Sequence, residues 1–213
     1  MAIFWSNVQI ALGTYGTAMP IVSLTKANPA VLTYTPGVDP VNGDYHLLLV
    51  QGMYQLDRRI VRVTNENAAG DHFDCEGIDS TSYGTFSSGT TTPVTFSTTL
   101  GTITDVSASG GAPQFADITT IHDSVRKQAP TINDPLTLTF ESIYDPTDAA
   151  LIALKAAADT ISERAIKITF ANGWKLLFNG YVSAPLIPTG SKQDVVKTQI
   201  VLTSSGRAQV YTT

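Results

Sequence analysis

Few side chains in this sequence are of a type and spacing that could do chemistry. It has three histidines in 213 residues. The best metal candidate is His72-Phe73-Asp74-Cys75, in which His72 and Asp74 share a strand face and His46 could add a further ligand. The recurrent spacing of structural zinc sites is absent, so a strand with a polar face and a buried Cys75 accounts for the same residues. His122-Asp123-Ser124 holds the letters of a nucleophilic triad. Neighbours in an extended segment point apart, whereas triad side chains converge from distant positions. Gly110-Gly111 is followed by neither Lys-Ser/Thr nor a helix start, which leaves a strand break rather than a phosphate loop. Glu141 and Asp145 could work as an acid–base pair, but Asp145 already has a role as a helix cap. Arg58, Arg59 and Arg62 beside Asp57 read as a solvated strand face rather than a nucleic-acid patch. No catalytic constellation, metal site or cofactor is expected.

Composition points the same way. The formal net charge is −5 and charged residues make up 15%, which argues against a protein that grips phosphates. Serine, threonine and glycine stand where charge usually does, and β-branched residues favour strands and tight turns. Cys75 is alone and can form no intrachain disulfide. Met1 to Asn7 lacks the basic segment of a signal peptide, and no apolar run approaches the roughly 20 residues of a membrane helix. The expectation is a protein made and used without export signals and without a membrane.

The elements that would position these residues are mostly strands. Val8–Leu12 and Pro20–Lys26 read as extended, with Gly13 and Gly16 loosening the chain between them. From Asn28 onward, dense turn signals separate short strands at Ala30–Thr35, Tyr45–Val50, Ile60–Thr64 and His72–Glu76. This spacing predicts a small β-barrel or sandwich over residues 22–92. Longer strands follow at 93–100, 102–107, 115–121 and 136–141, and a last one at 196–202. His122 to Asp134 shows no periodicity and reads as a long loop of the kind usually ordered by a partner.

One helix interrupts this pattern. Asp145-Pro146-Thr147-Asp148 is a helix start, with Asp145 as cap and Pro146 in the first position. Ala150, Leu151, Leu154, Ala158 and Ile161 recur as an apolar stripe. A hairpin follows: Ile166, Ile168 and Phe170 alternate on one strand, Asn172-Gly173 turns, and Trp174, Leu176 and Phe178 return.

This helix–hairpin run, with Phe170-Ala-Asn-Gly173 and Phe178-Asn-Gly-Tyr-Val182, resembles the tail tube proteins of long-tailed (siphovirus-type) bacteriophages. Ile103 to Ser107, Gly110-Gly111, Asp117 to Asp123 and Val195 to Arg207 extend the likeness. It covers residues 93–213, with residues 1–21 as the first strand of the same domain. Lys26–Ala30, Asn42–Asp44, Gly52–Asp57 and Gly77–Tyr83 resemble a small β-module of other tail proteins, read as an insertion at 22–92.

The resemblance implies a mainly β fold, a sandwich or barrel-like tube domain packed by one α-helix, plus the small inserted barrel. It implies hexameric rings stacked into a tube whose channel passes DNA without binding it specifically. Tape measure, tail terminator and baseplate or tail-tip proteins are the implied partners, with assembly in the host cytoplasm and residence in the virion. Thr137, Thr139 and Glu141 are expected to face the channel. His122, Asp123, Arg126, Lys127 and Asp134 are expected to lie on a loop that reaches a neighbouring subunit or ring. A monomeric binding module or adhesin, with Tyr45, Tyr54 or Tyr83 as contact residues, is the alternative.

Overall fold

The computed structural model describes residues 7–212. Fifteen strands and one α-helix carry the fold among these residues, so the mainly β expectation with a single packed helix is met. No helix among them is long and apolar enough to cross a membrane.

Six strands close a small barrel. They are β2 (Met19–Leu24), β3 (Ala30–Tyr34), β6 (His72–Cys75), β5 (Arg59–Asn67), β4 (Tyr45–Gln51) and β7 (Ser88–Leu100), each beside the next. Met19 and Pro20 of β2 pair Thr91 and Thr90 of β7 and complete the ring. The strands that the turn signals delimit, with the short turn after β4, fill the interior: Leu32, Leu48, Leu56, Val61, Val63 and Phe73 are fully buried. Cys75 joins them, and burial pushes its thiol up to about 12. His46 is buried too, with Nδ1 3.0 Å from Thr91 Oγ1, and desolvation lowers it to about 4.

β7 does not end with the barrel. Its second half pairs β1 (Gln9–Tyr15), and from there the sheet runs through β12 (Glu163–Thr169), β13 (Lys175–Ser183), β14 (Lys197–Ser204) and β11 (Thr137–Ile143) to β8 (Ile103–Ser109). β1 continues through Gly13, where the register shifts. A Cβ there would stand 2.7 Å from both Ala165 Cβ and Val94 Cγ1, so glycine lets the two neighbouring strands approach. β15 (Gln209–Tyr211), not expected from the sequence, pairs the first half of β13.

The helix α1 (Ala149–Asp159) covers one face of this sheet, against β13 and β7. Its cap differs from the expectation. Asp148 caps, accepting from Ala150 N and Leu151 N at 2.8 and 2.9 Å. Asp145 instead accepts from Thr147 N and Oγ1, forming a turn that leads in. Pro146 lies in that turn, because the first helical positions come after Asp148. The stripe is also corrected. Ala150, Leu151, Leu154 and Ala157 are the buried residues, Ala158 is half-buried, and Ile161 lies beyond the helix, 79% exposed. The helix ends in a Schellman turn: Ser162 N donates to Ala157 O and Ile161 N to Ala158 O. Ile161 therefore takes the left-handed position (φ 51°) and leaves the stripe.

Strands β12 and β13 are buried on both faces. Ile166, Ile168 and Phe178 enter the core beneath α1 with Ile10, Leu12, Leu138 and Ile200. Ala165 and Leu177 face the other way and pack with Tyr211 against Leu47 and Ile60 of the barrel.

Two predictions follow from this packing. Leu154→Ala should cost about 2–5 kcal/mol and Leu154→Asp should leave no soluble folded protein, whereas Ile161→Gly should add about 1 kcal/mol by relieving a β-branched residue of its left-handed backbone. Urea unfolding monitored by circular dichroism checks all three. His46 gives a pH dependence. Its folded value lies below its ordinary 6.5, so the unfolded chain takes up the proton first. Its contribution is complete above about pH 6.5 and is lost as the pH falls towards 4, by up to about 1.4 kcal/mol per unit. His46→Gln should remove that slope in urea titrations at pH 7, 6 and 5; equal slopes in the two proteins would refute it.

Candidate functional site: an open sheet face, a free ribbon and a clamped barrel

The chemistry candidates do not converge. His46 is in the barrel core, Cys75 is buried beside it, and Asp74 turns outward to accept from Asn65 Nδ2. His72 Nδ1 lies 3.1 Å from Gly70 O. No three His, Cys, Asp or Glu side chains among the described residues are grouped to hold a metal ion. His122 and Ser124 are exposed at a turn, and Asp123 between them is used by Thr120 and Lys127. Glu141 pairs with Lys197 at 3.3 Å. Tyr45 packs edge-on against Phe96, and Tyr83 lies against the barrel core; of the three tyrosines only Tyr54 is exposed.

The arginines hold the barrel on the sheet rather than forming a solvated face. Arg58, carried by a left-handed backbone (φ 56°), pairs with Glu163 of β12, and Arg59 donates to Gln209 of β15. Arg62 forks onto Glu76, its guanidinium stacks 4.8 Å over the Tyr211 ring, and its backbone N–H donates to Tyr211 Oη at 2.8 Å. Below them the buried Asn179 accepts from Tyr15 Oη and donates to Glu163 Oε2 at 2.7 Å and Ser205 Oγ at 3.1 Å. Burial pushes the Tyr15 and Tyr211 phenols up, so both stay neutral: Tyr15 donates to Asn179, and Tyr211 accepts from the Arg62 backbone N–H. The sequence missed this use because the partners that clamp the barrel to the sheet, Glu163, Gln209 and Tyr211, each lie more than 100 positions from their arginine.

Thr137, Thr139 and Glu141 are half-buried and share the face of β11 opposite Leu138, Phe140 and Ser142, which enter the core. Across the ladder they meet Ser109, Ser107 and Asp105 of β8 and Thr203, Val201 and Gln199 of β14. The result is a hydroxyl-rich, weakly acidic face. Lys197 is the one cation in these three strands, and Glu141 holds it.

The segment read as a loop is a ribbon. β9 (Pro113–Asp117) pairs only with β10 (Gln128–Asn133), and the two form their own sheet. Periodicity is absent because neither face is buried: every residue is exposed except half-buried Ala129. Two left-handed glycines, Gly110 and Gly111, set its base. A Cβ at Gly110 would stand 2.1 Å from Pro135 O, so the chain crosses itself there only with glycine. Asp134 N donates to Ala112 O and its carboxylate accepts from Gln114, which places Asp134 at the base. At the tip, Asp117 accepts from Thr119 and Arg126, and Asp123 from Lys127 and Thr120. These bonds hold both carboxyls below their ordinary range. Phe115, Ile118, Ile121, Val125 and Ile132 are all more than half exposed on this ribbon, and Ile121 is 96% exposed.

The outer strands of the sheet are open as well. Among the described residues β8 pairs only β11, and the second half of β7 pairs only β1. The arrangement holds no convergent catalytic groups but presents unpaired edges, exposed apolar side chains and a smooth polar face, all of which serve assembly. No curated protein matches the sequence. A family described as phage tail tube protein, TTP, matches residues 51–213, from the end of β4 through every later element, with β1, β2 and β3 lying before the match. That family is not one of enzymes, and by this match the chain belongs to the phage tail tube proteins: it is a structural subunit of the tail of a virion.

Proposed function

We propose that the subunit closes with five copies of itself into a ring, that rings stack into the tail tube, and that the tube's channel conducts DNA during ejection. The observation that carries this reading is the β9–β10 ribbon, whose apolar side chains are exposed and, among the described residues, have no partner sheet. An isolated two-stranded ribbon is at best marginally stable in water, so burial against another copy is what gives it a fixed place. The open edges of β8 and β7 favour the same conclusion, because ring closure pairs edges that would otherwise invite uncontrolled aggregation.

Thr137, Thr139 and Glu141 line the channel in this reading. Hydroxyls and carboxylates give DNA no cationic phosphate contacts to release, so it slides rather than sticks. His122, Asp123, Arg126, Lys127 and Asp134 shape the ribbon that reaches the neighbouring subunit or ring. Residues 22–92 are the inserted module, held outward by the arginine clamp. The tube lies between a tail terminator and the baseplate or tail tip, encloses a tape measure protein, and belongs to a siphovirus-type tail assembled in the host cytoplasm.

Negative-stain microscopy of concentrated protein tests the assembly: tubes with a central channel are expected, and a protein that remains monomeric even on a tail initiator would overturn it. Ile121→Asp should leave the monomer's urea midpoint unchanged, because the side chain contacts solvent, yet abolish tubes. For the channel, Thr137→Lys with Thr139→Lys should allow tubes to form but slow DNA release from phage by on the order of tenfold or more. Unaltered release would place these strands away from the lumen.

A further inference from the structure

The base of the ribbon and a groove beside α1 stand at opposite ends of β11. Asp134 and Pro135 precede this strand, whereas Tyr144 and Pro146 follow it. Its seven residues set the two about 20 Å apart. The groove has a volume of about 410 Å³ and lies between the helix and the chain that leaves β13. Ile152 and Ala156 line it from the helix, Pro185 and Leu186 from that chain, with Tyr144 and Pro146 beside them. Ile152 is 52% exposed, on the side of α1 turned away from the core. Leu186 is held in a left-handed backbone (φ 50°), which a bulky side chain rarely adopts.

We infer that this groove receives the ribbon tip of a second copy, with Ile121 seated against Ile152 and Leu186. This docking rests on the tube reading and names the surface that the ribbon meets. Ile121 stands almost wholly exposed at the tip, and the turns at Asp117 and Asp123 hold the tip in a defined shape. A tip already ordered loses little conformational freedom on entering a groove. Charge is compatible on both sides. Arg126 pairs with Asp117 and Lys127 with Asp123 on the tip, and Lys155 pairs with Asp159 at 2.8 Å beside the groove. Seating therefore buries no unpaired charge. Within one copy Ile121 and Ile152 are both exposed, so the contact is made between copies. A tip at one end and a groove at the other make a head-to-tail contact, which propagates instead of closing on a pair. It leaves the edges of β7 and β8 free for closure within a ring, and so serves stacking. The tip, residues 118–127, is smaller than the roughly 20–30 residues a side of a stable standard interface, so a single contact is weak. The subunits of a ring engage together, and linked contacts multiply their affinity.

Ile152→Asp changes an exposed helix residue and should leave the urea midpoint of the monomer unchanged. It should abolish tubes while rings still form, read by negative-stain microscopy and sedimentation velocity. Normal tubes from Ile152→Asp would overturn the docking and leave the tube reading standing, whereas wild-type protein that forms no tubes would overturn both. A chain carrying Ile121→Cys and Ile152→Cys, treated after assembly with a short bismaleimide, should give a ladder of covalent multimers on denaturing gels. Each single variant should give none, and Cys75 is fully buried and stays out of the reaction. The docking is overturned if the double variant's tubes give no ladder, or if Ile121→Cys alone gives dimers, which would set ribbon against ribbon.

Discussion

The thirteen residues of β7 supply backbone hydrogen bonds to two hydrophobic cores at once. Ser88 to Val94 pair with β4 and, at Thr90 and Thr91, with β2; Val94 to Leu100 pair with β1. A strand continuous through both parts leaves no linker about which the barrel could turn, because a hinge would break the ladder and leave its peptide groups unpaired. The remaining contacts across the junction reinforce that constraint. Leu47 and Ile60 press on Ala165, Leu177 and Tyr211, and the Arg58–Glu163 and Arg62–Tyr211 contacts surround that patch. Asn179 beneath them is fully buried and makes three side-chain hydrogen bonds, which offset the cost of burying its amide.

Covering β12 and β13 on both faces has a consequence for the other strands. The barrel packs on one face at β12 and β13, and α1 takes the opposite face. The outer face of β14, β11 and β8 is therefore left open, and alternation decides what it shows: Leu138 and Phe140 inward, Thr137, Thr139 and Glu141 outward. The assembly surface is thus what remains after both cores have taken what they need, and its chemistry is set by the polar half of each strand.

Much of this was legible in the residues. Turn signals located β3 and β4, and alternation located β11 and β12, within a few positions, and the single helix was plain from Ala150, Leu151 and Leu154. Failures fell where local signals admit two partners. Asp145 and Asp148 are both good caps, and only the geometry of the approach decides that Asp148 serves the helix while Asp145 makes the turn before it. Ile161 continues the apolar period but falls on the residue that must reverse the chain. β10 carries no period because it buries neither face, and β15 is three residues long, defined by Tyr211 finding Arg62 across 149 positions. The arginine clamp was hidden for the same reason: long-range pairing leaves no local pattern.

The ribbon is the least self-supported part of the fold. Its ion pairs, Arg126 with Asp117 and Lys127 with Asp123, lie at the surface, where solvent screening leaves such pairs little to contribute. The carboxylate turns at Asp117 and Asp123 fix the shape of its tip without burying apolar area. Its base is stiff, because Gly110 and Pro135 are in contact, so shape is imposed at both ends while the length between them gains nothing from the body of the subunit. Local opening of such a ribbon costs far less than global unfolding. A ribbon with a defined tip, a defined base and unburied Phe115, Ile121 and Ile132 along it is a poor use of residues in a monomer. It becomes a stable element once a surface outside the subunit covers those side chains.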